Sequence, residues 1–447
     1  MAHQRKVFSI ARTAQPSLRR RLQRLRTLAL DTRALHDSRD LRRLVGAQAI
    51  SVLGSQLTAV ALPYQVYRLT GSSLQVGLAA LATVPLMALA SLVGGALVDR
   101  TDRRRLLVLL SVVLALLSGG LAVNASASPA LWPLFVLPAL AAGLATVEDS
   151  AINAVLPGLV PSGELPAVNA MFQAVFQLGL VVGPTLAGLI LAGSGARCLY
   201  AIDAVSFAVT AGLCFGLQPY RAERERQGSG WRTLTAGVAY VSRRPLIASA
   251  MLIDLNATVL GMPRALFPAL AVTTFAAGPA ALGLLYAAPG VGALVGALTS
   301  GWISRVERQG RAVILAVIVW GLAIAAFGVV PWLALALCLL AIAGWADVIS
   351  AIFRSSIIQL SVPDRLRGRL IGLQSLAVTG GPRLGDLEAG AAASAVGTVP
   401  AIVTGGLGCV AGALAIARLI PQLRDQRADR SAPFAAALGQ REHEGVR

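Results

Sequence analysis

Apolar blocks of roughly twenty residues recur along the whole chain, separated by short polar breaks, and twenty residues is about what a helix needs to cross a bilayer core of about 30 Å. Backbone polar groups within lipid need partners inside their own segment, so such blocks must be helices. The alternation of period two that marks a membrane barrel is missing. The blocks predict spans at 44–66, 75–98, 106–126, 131–155, 168–193 and 197–217, then 246–270, 280–303, 312–330, 333–357, 370–395 and 399–420. The expected fold is therefore all-α and integral to the membrane, with twelve transmembrane helices.

The polar breaks fix the direction. One set carries Arg100, Arg103, Arg104 and Arg105, then the arginines of 221–244, then Arg305, Arg308 and Arg311, then Arg365, Arg367 and Arg369; the alternate set carries Arg68 and Arg197. The positive-inside rule puts the first set, and both termini, in the cytoplasm. The expected organisation is a basic segment at 1–43, a six-helix bundle at 44–217, a cytoplasmic linker at 218–245, a second bundle at 246–420 and a tail at 421–447. Leu18, Leu22, Leu25 and Leu28 recur among arginines, which suits either a surface helix on anionic lipid or a plain basic tail. Residues 231–241 suit a second surface helix.

The two halves resemble each other. Asp99 in GGALVDRTDRRR pairs with Arg305 in TSGWISRVERQGR (305 − 99 = 206). Pro184 of VGPTLAG pairs with Pro382 of GGPRLGD (382 − 184 = 198), and Pro161 with Pro363 (363 − 161 = 202). Three matches at nearly one offset indicate a duplicated six-helix unit, two pseudo-symmetric bundles with a site between them.

Composition narrows the function. Of 447 residues 56% are hydrophobic and 13% charged, with a mean hydropathy of +0.70. The net charge of +18 is topogenic rather than a nucleic-acid surface, because the arginines lie between the apolar blocks. His3, His36 and His443 lie in the polar tails, so no histidine metal site or proton relay is expected in the membrane. Cys198, Cys214, Cys338 and Cys409 stand singly in apolar segments, as small buried hydrophobes rather than metal or redox pairs. The first forty residues lack the apolar core of a cleavable signal peptide. The only lysine, Lys6, precedes Val7, so no phosphate-binding loop for ATP exists and energy must come from a gradient. No cofactor or metal is implied.

Several motifs resemble the major facilitator superfamily. Gly95, Asp99-Arg100 and Arg103-Arg104 match the signature after its second span, with Asp102 where a glycine is usual. The resemblance implies that Gly95 allows close helix approach while the charges form a breakable latch at the cytoplasmic mouth. Gly179, Gly183-Pro184 and Gly188 are similar to the glycine–proline signature of the family's antiporters, with Ala187 in place of one glycine. IDAVSF at 202–207, GMPRALFP at 261–268, VPDRLRGR at 362–369 and GGPRLGDLEAG at 380–390 resemble the branch of enterobactin-type siderophore exporters and related drug exporters. The resemblance implies proton-coupled antiport of a siderophore or small amphipathic molecule. Import and lysophospholipid flipping stay open, since direction is not written in single residues.

Ten ionisable residues fall inside the expected spans: Glu148, Asp149, Asp203, Asp254, Arg264, Asp347, Arg354, Arg383, Asp386 and Glu388. Each costs about 2.5–3.5 kcal/mol at the bilayer centre, so most must line a hydrated cavity or pair with one another. Seven are acids, which favours a pathway for protons or other cations. Arg383 and Asp386 share a helix face, so Arg383 is expected to hold Asp386 ionised, leaving Glu388 or Asp254 to titrate. Asp203 suits a hydrogen bond to a neighbouring span. Glu148, Asp149 and Arg354 suit either a gate or an interfacial position. Gln56, Asn169, Gln173 and Gln177 are candidate substrate contacts or helix–helix bonds. A lipid-modifying membrane enzyme would want clustered histidines or paired acids at the interface, and a transporter-like sensor would want a large soluble appendage.

Overall fold

The computed structural model describes residues 38–126, 129–161, 163–218, 239–362 and 364–427. Most of the basic amino-terminal segment, most of the linker with residues 231–238 of its expected surface helix, and the end of the tail lie outside those residues. The described chain is helical throughout: α1 Arg39–Thr70, α2 Ser73–Arg100, α3 Arg103–Ser126, α4 Pro133–Leu159, α5 165–194, α6 196–215, α7 Pro245–Thr273, α8 Gly278–Leu298, α9 Gln309–Val329, α10 Leu333–Ser361, α11 Asp364–Val396 and α12 Thr398–Leu419. Among the described residues, ten helices are long and apolar enough to cross a membrane. One of these runs Leu165–Phe215 and comprises α5 and α6. α11 has the length at 33 residues but is charged. Dividing the first and adding the second gives the twelve crossings expected from the apolar blocks.

Local sequence sets the helix ends. Ser38 and Ser72 cap α1 and α2 by accepting from the Leu41 and Gln75 amides at 3.2 and 3.4 Å. α4, α5, α7 and α8 each begin with proline in the first turn, where a missing N–H costs nothing. No loop divides α5 from α6: Gly195 alone breaks the helix, at φ +76°, a conformation that suits glycine and strains other residues. Asp102, where the family signature has glycine, caps α3 by accepting from the Arg104 and Arg105 amides at 3.0 and 3.2 Å. Asp102→Ala should therefore cost about 1 kcal/mol, read as a lower midpoint in thermal unfolding of the detergent-solubilised protein.

Helices α1–α6 pack mainly on one another, as do α7–α12. Between the halves, α5 lies along α8, and residues 73–81 of α2 lie along α11, whereas 84–100 of α2 barely touch α11. The core divides in the same way. At the arginine-poor end, Val60, Val66, Val76, Ala187 and Tyr200 share one continuous apolar core with Phe267, Leu270, Leu282 and Phe327, a core that within the second half continues down to Ile253 and Phe353. At the arginine-rich end, Leu44, Val98, Leu107, Val155 and Leu217 form a separate core within the first half. Ile247, Ala250, Ile358 and Val362 form another within the second. The halves are thus fused at the arginine-poor end and parted at the other.

Candidate functional site: the cleft between the halves

The closed end is made by missing side chains. A Cβ on Gly283 of α8 would lie 2.7 Å from the Gly188 Cα and closer still to the Pro184 carbonyl; one on Gly188 would lie 2.8 Å from the Gly283 Cα. A Cβ on Gly77 of α2 would lie 2.8 Å from the Leu387 Cα, and one on Gly390 of α11 would lie 3.1 Å from the Leu74 Cα. Only glycine lets backbones meet at such range. The antiporter-like motif is divided between two tasks: Gly179 and Gly183 face Val52 and Gln56 of α1, Gly188 faces the other half, and Ala187 is fully buried beside it.

Opposite the closed end the halves leave a cleft. On α5, Asn169, Gln173 and Gln177 continue at four-residue spacing the stripe whose later members, Pro184 and Gly188, meet α8. Asn169 and Gln173 are exposed and Gln177 half-buried, with no hydrogen-bond partner among the described residues. On α1, Ser55 and Ala59 are exposed; on α4, Ala142, Ala145, Thr146, Asp149 and Asn153 form a small, polar face with Asp149 and Asn153 exposed. Lipid-facing positions nearby are large and apolar instead, as at Leu140 and Val136. Gln56 is a packing residue, its stem against Gly183. Ser55 and Asn153 were not singled out from sequence. The signal of Ser55 was a hydroxyl in mid-span, one turn from Ser51, with no reason to face lipid, and that of Asn153 an amide one helical turn beyond Asp149.

A polar network in the second half joins α7, α8, α10 and α11. Asp254 and Arg354 form an ion pair at 2.6 Å, 8% and 5% exposed, and Arg354 also donates to the Ser350 hydroxyl at 3.1 Å. Asp386 accepts from the Ala265 amide at 3.0 Å, with Arg264 its foremost cationic neighbour. The Tyr286 hydroxyl donates to the Arg264 carbonyl at 3.2 Å. Asp347 lies in the field of Arg354, Asp254 and Arg264. Arg383 donates to the Thr83 hydroxyl of α2 at 2.8 Å and to the Thr379 carbonyl, and so stitches the halves together.

Four expectations need correction here. Arg383 forms no direct ion pair with Asp386, although each charge still acts on the other: both lie on one face, but its guanidinium turns to α2, where Thr83 offers an acceptor. Asp254 is not free but bound to Arg354, and Arg354 is accordingly a buried partner rather than a gate or interfacial group. Gly95 brings no helices together here, since nothing lies within 4 Å of a Cβ placed on it; Gly94, a turn of about 100° away, is the glycine facing α4 at Val147. Cys338 of α10 is exposed and Cys198 half-buried, unlike the buried Cys214 and Cys409. Glu388 is half-buried and, as expected from its rotation away from Asp386, takes no part in the network.

In the arginine-rich loop, Asp99 and Arg100 are exposed and form no ion pair among the described residues. Arg103 donates to the Ala154 carbonyl of α4, and the Arg104 guanidinium stacks on Phe215 of α6 at 4.8 Å. Elsewhere in the first half, Glu148 is buried and accepts from Ser111 of α3 at 2.9 Å, and Asp203 bonds to α1 and α3 as its position suggested.

Two six-helix halves fused at one end, parted at the other and polar between them define a membrane transporter of small molecules. The family model of the Major Facilitator Superfamily matches residues 44–385, and the chain belongs to that family, as a multi-pass inner-membrane protein. The enterobactin exporter EntS of Citrobacter koseri is 30% identical over 394 residues, 88% of this chain and 94% of that one. The enterobactin exporter EntS of Escherichia coli is 28% identical over 382 residues, 85% and 92%. A solved bacterial homologue of the human lysosomal transporter Spinster, inward-facing and unoccupied, has the same fold at a TM-score of 0.69 and 15% identity, covering 86% of this chain and 98% of that one. A bacterial homologue of the iron transporter ferroportin, inward-facing, follows at 0.64 and 17%, covering 87% and 99%.

Proposed function

We propose that this chain is a secondary-active exporter that moves a siderophore or small amphipathic molecule outward in exchange for protons, with both termini in the cytoplasm. The bundles at 44–217 and 246–420 are its moving units. In this reading the arginine-rich end faces the cytoplasm, and the substrate enters the cleft there. Ser55, Asp149, Asn169 and Gln173 are the first polar groups it meets, and Arg264 with Asp347 faces it from the second half. To release it outward, the contacts of Gly77 with α11 and Gly188 with Gly283 part, together with the Arg383–Thr83 bond. The parted arginine-rich ends then close, which brings Gly95, Asp99 and Arg100 within reach of the second half as the family's latch. The observation that carries the reading is a cleft of unpartnered polar side chains open to the cytoplasmic end of a chain related to exporters.

Asp149 and Glu388, the intramembrane acids that make no ion pair or hydrogen bond among the described residues and stand apart from the arginine-bearing network, are the proposed proton carriers. Asp149→Asn and Glu388→Gln should each lower proton-driven export in vesicles by about 5–150-fold, the usual range of a coupling between two bound species. Unchanged coupling in both would reject proton antiport through these groups. Direction and substrate are read from accumulation in cells with and without the gene, with siderophores and drugs in parallel. Export predicts lower retention when the gene is present; higher retention would mean an importer, and altered leaflet distribution of lysophospholipid alone would mean a flippase.

A further inference from the structure

Asp203 of α6 lies outside the cleft, on the far side of α1. It is 2% exposed, and its Oδ2 accepts from the Thr58 hydroxyl of α1 at 2.7 Å and the Ser118 hydroxyl of α3 at 2.8 Å. Two donors on one oxygen suit an ionised carboxylate, which accepts only. Such a charge buried in a membrane helix needs a counter-charge. Asp254 has Arg354 for this purpose; Asp203 has no ion pair among the described residues. Its second oxygen, Oδ1, has no hydrogen-bond partner, and neither has the hydroxyl of Tyr200, which is fully buried and one turn away on the same face of α6. Ser206, the next residue on that face, adds a fourth hydroxyl, which donates to the Asp203 carbonyl. Room for the group comes from Gly54 of α1, where a Cβ would lie 2.7 Å from Asp203 Oδ1 and closer to the Ser206 hydroxyl.

We propose that this group binds a bare monovalent cation of sodium size, held by Asp203 Oδ1 and the Tyr200 hydroxyl with support from the hydroxyls of Ser206, Thr58 and Ser118. One carboxylate among neutral oxygens balances a single positive charge; a divalent ion would leave an uncompensated charge in the bilayer. The donors come from α1, α3 and α6, so the ion braces the helix that lines the cleft against the two helices behind it. The proposal concerns binding and stability and does not depend on what the cleft transports.

The test uses the full-length protein in detergent, with unfolding followed in sodium, potassium and N-methylglucamine chloride at equal ionic strength, and radioactive sodium binding measured alongside. Sodium should raise the midpoint by about 3–6 °C over N-methylglucamine, as expected for an ion well above its Kd. Asp203→Asn should abolish both the shift and the binding. Tyr200→Phe removes only the phenol oxygen and should weaken sodium binding several-fold while leaving the midpoint in N-methylglucamine unchanged, which separates ligation from folding should Asp203→Asn fold poorly. Asp149→Asn, in the cleft, should retain the full sodium shift. Equal midpoints in all three salts, a response to pH without a response to sodium, or sodium binding that survives Asp203→Asn would each overturn the proposal.

Discussion

Replacing Arg354 by methionine is expected to destabilise the second half by about 3–5 kcal/mol, because it strips Asp254 of its ion-pair partner and leaves a buried charge uncompensated. Both side chains are almost fully enclosed, so water does not screen the loss. The informative comparison is the double variant Asp254→Leu with Arg354→Met. If the pair is structural, the double variant should recover most of the thermal stability, since a buried ion pair is commonly replaceable by apolar residues of similar volume. If the pair also takes part in transport, the double variant should be stable and inactive. A single Arg354→Met as stable as the parent would mean that the two charges do not meet at 2.6 Å.

The second large effect is expected from Gly283→Leu. Its Cβ alone would enter the space of the Pro184 carbonyl and the Gly188 Cα, and backbone on both sides cannot retreat as a flexible side chain would. The variant should hold α5 and α8 apart, keep the arginine-poor end from closing, and abolish export while the protein still inserts. An impermeant maleimide should then label a cysteine at Ser73, in the α2–α11 seam of the same end, far faster than in the parent. Gly119→Leu is the control: nothing lies within 4 Å of a Cβ there, and it should be neutral. Normal export by Gly283→Leu would show that the halves need not meet along α5 and α8.

Much of this architecture can be read from the chain before any coordinates. The apolar blocks give all twelve helices because lipid allows no other solution for unpaired backbone groups. The weakest boundary was that between α5 and α6, where a loop was expected and a single glycine at positive φ suffices. The charged groups were found but not their partners. Helical spacing shows which residues share a face and says little about a long arginine side chain, which reaches whichever acceptor lies nearest; for Arg383 that is Thr83, on a helix 300 residues away in sequence. The Asp254–Arg354 pair had a legible signal in depth. Asp254 lies nine residues from the start of α7 and Arg354 seven from the end of α10, so both sit about 10–13 Å below the same membrane face. Asp102 shows the same limit in reverse: as a departure from a family motif it left the turn undetermined, and as a helix cap it explains itself.

The central claim is that two bundles rock about the cleft, so that one end opens as the other closes. Spin labels measure it most directly, in a cysteine-free background, with one pair at Thr101 and Arg308 across the arginine-rich end and another at Arg68 and Thr274 across the other. On adding transported substrate or a proton gradient, the first pair should shorten while the second lengthens. Distances that move together, or that stay fixed while transport continues, would contradict the account.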